Sequence, residues 1–171
     1  MQLIYLSNAG TVFMDVIAWY GLHMLIAWIA RNIPDAFFEE YREWFRIRRW
    51  ENSGAVWQQL FRVRSWKPYL PDGTKITKKG FDKTHLRHVD QAGLEQFSLE
   101  TRRGELAHWM MIPPAWLFFL WNPPWAGWIM VVYAFMVNLP FIIVQRYNRP
   151  RLERVIQKKE QLKKETLKEV S

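Results

Sequence analysis

Glu105 and His108 stand three residues apart, a spacing that on a helix sets a carboxylate beside an imidazole. Such a neighbour fixes the tautomer of the ring and raises its basicity, as a general base requires. Arg102 and Arg103 come just before and offer planar forks suited to phosphate or carboxylate. The same spacing equally describes an interfacial collar, with Glu105 paired to Arg102 and the arginines on lipid headgroups. A second cluster follows forty residues later: Gln145, Arg146, Tyr147, Asn148, Arg149 and Arg151. Three arginines, a tyrosine and two amides within seven residues suit a phosphate-bearing or sugar-bearing ligand. The basic flank of a membrane helix accounts for Arg146 and Arg149, but not for Gln145 or Asn148.

The stretch FDKTHLRHVD supplies a third set, Asp82, His85, His88 and Asp90. His85 and Asp90 have the His-x4-Asp spacing of glycerolipid acyltransferases, although six residues of polar loop make that match weak alone. A zinc site from His85, His88 and an acid has little support, and no metal is expected. Asp15 and His23 read as an internal pair within an apolar segment, not as catalysts. With no cysteine, thiolate catalysis, disulfides and Cys-type zinc sites are excluded. There is no glycine-rich phosphate loop, Gly-x-Ser-x-Gly elbow or dinucleotide fingerprint either, which argues against soluble nucleotide enzymology.

What positions these residues follows from where charge is missing. The chain has 171 residues, half of them hydrophobic, with eleven tryptophans. Residues 1–30 and 107–145 contain no lysine or arginine, whereas 31–106 hold fifteen of the 24 and 146–171 the other nine. That segregation predicts an all-α integral membrane protein forming a single membrane domain. Its spans lie at about 3–30, 107–121 and 126–145; crossing takes roughly 20 apolar residues, and the second span is shorter than that. The first is N-terminal; the other two form a C-terminal hairpin turned at NPPW. The positive-inside rule puts the N-terminus outside, with 31–106 and the tail 146–171 cytosolic. No cleaved signal peptide is expected, because the N-terminus lacks a positive region. Basic loops beside spans explain the net charge of +8, so nucleic acid is not an expected partner.

Within 31–106, Phe37, Phe38, Tyr41, Trp44, Phe45 and Trp50 recur at helical spacing, the pattern of an amphipathic helix lying in the headgroup plane or, equally, of one packed on the protein's own core. A short helix is expected around Trp57 to Arg64, and another from Leu94 to His108 running into the second span. The tail from Pro150 predicts a solvated helix. Pro113-Pro114 predicts a kink or local unwinding in the second span and Pro140 the same in the third; such disruptions are simple structural kinks or, side by side, the walls of a cleft at membrane depth.

In order along the chain, IPDAFF, FRVRSWKPYLPDG, FDKTHL, ETRRGELAHW and NLPFIIVQRYNRPRL resemble the glycosyl-4,4'-diaponeurosporenoate acyltransferases. The similarity runs from about Ile33 to Leu152, and QRYNRPRL is its most specific block. His85 and His108 fall inside matching blocks; His88 and Asp90 do not. The resemblance implies a small integral membrane enzyme of staphyloxanthin-type carotenoid synthesis. It implies esterification of a sugar hydroxyl on a glycosylated C30 carotenoid with a fatty acyl group, at the cytosolic face.

On that reading His108 or His85 takes the hydroxyl proton, oriented by Glu105 or Asp82 respectively. Arg102, Arg103 and the 145–151 array hold the donor's phosphates or the developing oxyanion. No cofactor is implied, the acyl donor being a co-substrate: acyl-CoA, acyl-carrier protein or a lipid. The partners implied are membrane lipids, the lipid-linked acceptor and other membrane enzymes of the pathway. Two alternatives stay open: acylation of another polar lipid, and a non-catalytic module that binds lipid or a partner enzyme.

Overall fold

A computed structural model of the chain describes residues 2–70 and 91–170. Asp82, His85, His88 and Asp90 therefore lie outside the described residues. All secondary structure among the described residues is helical. Helix α1 is Asn8–Asn32 and α2 is Asp35–Glu40; 3-10 turns follow at Arg42–Phe45 and Arg49–Gly54. Next come α3 (Ala55–Phe61), α4 (Val63–Trp66) and a 3-10 turn, Lys67–Tyr69. Helix α5 is Gln91–Met110; a 3-10 helix, Pro113–Leu120, and helix α6, Pro124–Val170, complete the order.

Two of these helices, α1 and the apolar first part of α6, are long and apolar enough to cross a membrane. At 1.5 Å per residue α1 measures about 37 Å, more than the roughly 30 Å of a hydrocarbon core. Ser7 caps its start, the hydroxyl accepting from Gly10 N at 3.2 Å. Its flanks expose Val12, Phe13, Val16, Ile17, Met24 and Leu25, while Asp15 is buried. That inverted distribution is what a lipid solvent favours.

The stretch 107–121 is not one spanning helix. Its first residues end α5 at Met110, and Pro113 and Pro114, which lack N–H donors, begin a separate 3-10 helix of eight residues. At about 2.0 Å per residue that piece covers about 16 Å, half a hydrocarbon core. The expected hairpin of two spans is thus one short 3-10 helix followed by one long α-helix. Nor does Pro140 or Pro150 divide α6, so the third span and the tail are a single 47-residue helix.

The chain divides into two compact units. The first comprises Met1–Phe37 and Arg103–Ile142. Its core joins Ala115, Val131 and Ala134, with Trp19 and Phe119 packed against them. The small residues let backbones approach closely. Gly127 serves the same end, since a Cβ there would lie 2.6 Å from the Phe119 ring. Asp15 accepts hydrogen bonds from Trp121 Nε1 at 2.8 Å and Asn122 Nδ2 at 2.7 Å, which satisfies a carboxylate inside an apolar helix. Asp15 and His23 do not bond each other; His23 Nδ1 lies 2.7 Å from the Trp19 carbonyl.

The second unit comprises Phe38–Arg102 and Ile143–Ser171. Val63, Ile143 and Tyr147 form its core, packed by Trp57, Trp66 and Val144. The aromatic-faced helix expected over 35–50 is broken in two places. Phe38 and Phe45 turn inward with ring centroids 5.8 Å apart, whereas Trp44 and Trp50 stay exposed. Burial of Phe45 beneath Arg149 overrides the helical periodicity. Likewise α3 and α4 are two helices, divided at Arg62, whose φ is 48°.

Gly54, at φ 82°, opens α3 in the left-handed region that glycine tolerates best. A Cβ there would sit 3.1 Å from the Tyr147 carbonyl oxygen and 3.3 Å from that of Arg146. Gly54→Ala is expected to destabilise the protein by about 1–2 kcal/mol from the φ penalty alone. Thermal melting of the detergent-purified variant measures it; an unchanged midpoint would mean that this approach carries no strain.

Candidate active site

Within the first unit the charged threshold of the apolar stretch separates into two roles. Arg103 donates to the carbonyls of Ala30 at 2.7 Å and Ile33 at 2.6 Å, and it pairs with the Asp35 carboxylate. Those carbonyls belong to the C-terminal end of α1, where unpaired acceptors and the helix dipole both favour a cation. Arg103 is thus engaged in closing α1. Glu105, two residues on, is buried at 2% exposure.

His108, one turn farther, is half-buried and lies flat on Phe141, ring centroids 4.5 Å apart and planes 9° apart. Its Nδ1 is 2.9 Å from Asn138 Oδ1. The partner of this ring nitrogen is a buried amide thirty residues away. Chemistry follows from which way that amide faces. Asn138 Nδ2 donates to the Ala134 carbonyl at 2.8 Å, so Oδ1 is left as an acceptor. His108 must then carry its proton on Nδ1, and Nε2 holds the lone pair. A neutral imidazole with a fixed tautomer and an available nitrogen can accept a proton from a hydroxyl.

The second unit holds the arginine-rich array. Arg149, 1% exposed, donates to the Phe45 carbonyl at 2.7 Å and to the Thr101 carbonyl at 3.2 Å, while its Nε reaches Thr101 Oγ1 at 3.3 Å. Arg146 forms a two-pronged ion pair with Glu51, Nε to Oε2 at 2.9 Å and Nη2 to Oε1. Glu51 is fully buried and also accepts from Trp57 Nε1 and Arg48 N, each at 2.8 Å. Burial alone would raise its pKa; the bonds from Arg146, Arg48 and Trp57, with the Arg146 charge, outweigh it and hold the carboxyl below its ordinary value.

Tyr147 is buried, and its hydroxyl accepts from Arg64 Nε at 2.9 Å. The Arg151 guanidinium stacks 3.6 Å above its ring centroid. Burial depresses the Arg151 pKa, with Arg154 and Arg64 adding to the effect and Tyr147 opposing it. Asn148 Oδ1 accepts from Lys67 Nζ at 2.7 Å, and Gln145 is half-buried nearby in sequence. The donors expected to face a ligand therefore mostly bind their own protein.

Arg102 is 6% exposed and donates to the Phe38 carbonyl at 3.2 Å and Ser98 Oγ at 3.4 Å. Burial lowers its pKa, and the Arg149 and Arg42 charges lower it further. It lines a cleft of about 490 Å³ that also carries Arg42 and the carboxylates of Glu39, Glu95, Glu153 and Glu160. Sequence spacing passed over Asn138 and Glu51, the partners of His108 and Arg146. Asn138 had one visible signal, a polar amide inside an otherwise apolar helix; Glu51 had none. Among the described residues no group of His, Asp and Glu could hold a metal ion.

The sequence model of the glycosyl-4,4'-diaponeurosporenoate acyltransferase family matches residues 41–158. Two Staphylococcus aureus proteins of that name, from different strains, are 35% and 36% identical over 146 residues, 85% of this chain and 88% of each of theirs. No solved structure matches. A match over most of the second unit and much of the first, together with this identity along nearly the whole length, decides the family: the chain belongs to the glycosyl-4,4'-diaponeurosporenoate acyltransferases and is an acyltransferase.

Proposed function

We propose that this enzyme esterifies a sugar hydroxyl of a glycosylated C30 carotenoid with a fatty acyl group at the cytosolic edge of a membrane. The observation that carries the reading is the contact of His108 Nδ1 with Asn138 Oδ1, whose amide nitrogen is engaged by the Ala134 carbonyl; from it we infer an Nδ1–H imidazole with its lone pair on Nε2. In the proposed step Nε2 takes the proton of the sugar hydroxyl as its oxygen attacks the acyl carbonyl. The carbonyl re-forms, the donor's leaving group departs, and the proton passes to it from the imidazolium. Atoms balance: one ester forms, one activated acyl bond breaks, and the histidine returns neutral.

Both substrates are amphiphiles, and a base beside long apolar helices suits heads that react while their chains remain in lipid. Membrane integration through α1 and the first part of α6, with the short 3-10 helix between α5 and α6 dipping in part way, belongs to the same proposal. So does the cytosolic placement of the basic segments 31–106 and 146–171, favoured by their fifteen and nine cations. His108 acts as the base, Asn138 positions it, and Arg103, Arg146 and Arg149 hold the scaffold. The acyl donor is a co-substrate, and no further cofactor is invoked; lipids and the other membrane enzymes of the pathway are its partners.

Lipid mass spectrometry tests the activity. Membranes of cells making both the glycosylated acceptor and this protein should contain a species heavier by one fatty acyl group, lost when the protein is omitted. An acceptor left unesterified in both samples would overturn the reading, and acylation of a different polar lipid instead would move the substrate class.

A further inference from the structure

A second cleft of the second unit, about 590 Å³, is walled on one side by the 3-10 segment around Arg49 and on the other by α6. Four arginines line it, Arg46, Arg48, Arg49 and Arg154, against one carboxylate, Glu153. Gathering so many like charges is unfavourable without an anion to share, and their own protein offers little. Arg48, Arg49 and Arg154 form no ion pair among the described residues. Among the described residues Arg46 pairs only with Glu43, at 3.3 Å, with both side chains largely in solvent, where such a pair contributes little.

The cleft floor is built deliberately. Pro150, Glu153, Arg154 and Gln157 recur on one face of α6. Opposite them Asn52 and Ser53 adopt φ of 45° and 51°, conformations that side chains rarely take and that cost about 1–3 kcal/mol each. Gly54 behind them packs on the α6 backbone and Glu51 is tied to Arg146, so this strained turn is held in place against the helix. An amide and a hydroxyl at its lip add neutral hydrogen-bonding groups beside the guanidinium forks.

We propose that this cleft binds a phosphate-bearing ligand. Guanidinium forks match phosphate oxygens in pairs, and the volume falls within the usual range for small-ligand sites. Two sources present that chemistry: the phosphates of a coenzyme A-type acyl donor and the headgroup of an anionic phospholipid. Only the word donor rests on the activity proposed above; the phosphate site does not.

The test uses the full chain in phosphatidylcholine nanodiscs. One arm titrates coenzyme A without an acyl chain; the other measures retention of phosphatidylglycerol through delipidation by lipid mass spectrometry. The variant carries R49Q and R154Q, both at exposed arginines, and R31Q, an exposed arginine outside the cleft, serves as control. The double variant is expected to weaken binding about tenfold or more, as loss of charge-assisted bonds does, while R31Q changes it less than twofold. Loss in the first arm assigns the site to a nucleotide-type donor; loss only in the second assigns it to lipid; both uphold a phosphate site. Unchanged binding in both arms, or an equal loss in R31Q, overturns it. Because no arm reads acyl transfer, a failure of the proposed activity would leave this result standing, and the reverse holds too.

Discussion

His108→Ala is expected to lower acyl transfer by about 10²–10⁴-fold, the usual contribution of a positioned general base. The protein should still fold, because the ring is only half-buried and its removal forfeits one stack on Phe141 and one bond to Asn138. Asn138→Leu separates the base from what aims it. That change deletes the acceptor of the Nδ1 proton, so the imidazole is free to take the other tautomer and present N–H to the substrate. The expected signature is a fall in kcat of roughly tenfold or more by the same base-catalysis argument, with the KM for the acceptor unchanged. Asn138→Gln, which keeps an amide on a longer stem, should recover part of the loss; a purely packing role would show no such rescue. Transfer within twofold of wild type in His108→Ala would remove this histidine from the chemistry.

The pair also explains what the sequence could and could not reveal about the site. Spacing along one helix exposes neighbours three or four residues away, and so it suggested Glu105 beside His108. The amide that meets Nδ1 sits on another helix, and nothing local in ELAHW points to Asn138. The same holds for Arg146: its neighbours in QRYNRPR suggested a ligand-facing array, whereas the buried carboxylate that binds it comes from the ENSG turn 95 residues earlier. Long-range pairs need coordinates.

The helices were more legible. Long cation-free stretches bounded by basic ones led directly to α1 and to the apolar part of α6. Pro113-Pro114 points to a kink or local unwinding, and the structure has the unwinding, a separate 3-10 helix of eight residues. Pro140 and Pro150, carrying the same warning, leave α6 continuous. The difference lies in what flanks each proline. Long apolar or charged residues on both sides of Pro140 and Pro150 propagate the helix, whereas NPPW closes the Pro113 segment within three turns. In 35–50 the periodic aromatics mark helical material, but in several short pieces that share no single face. Phe38 and Phe45 are drawn inward by contacts with Arg102 and Arg149, and periodicity carries no information about those.

The interaction whose removal should most weaken the fold is the buried pair of Glu51 and Arg146. Glu51→Gln leaves Arg146 facing a neutral amide in a site almost closed to water, and breaking such a pair from one side costs about 3–5 kcal/mol. Replacing both, with Glu51→Gln and Arg146→Met, should cost much less than the single change, because no uncompensated charge is left behind. Chemical denaturation in detergent, with Arg146→Met measured alone as well, completes the cycle, and a loss in the double variant equal to the sum of the two single losses would mean that the pair is not coupled. The pH dependence has a fixed sign. Glu51 is held below its ordinary value in the folded protein, so its contribution is complete above about pH 4.3, the unfolded value. It is lost as the pH falls through the lower folded value, where the native state too takes up the proton. Wild type should therefore lose stability on acidification through that window more steeply than Glu51→Gln. Parallel curves would show that the charge on Glu51, as distinct from its hydrogen bonds to Trp57 and the Arg48 backbone, contributes nothing to holding the ENSG turn against α6.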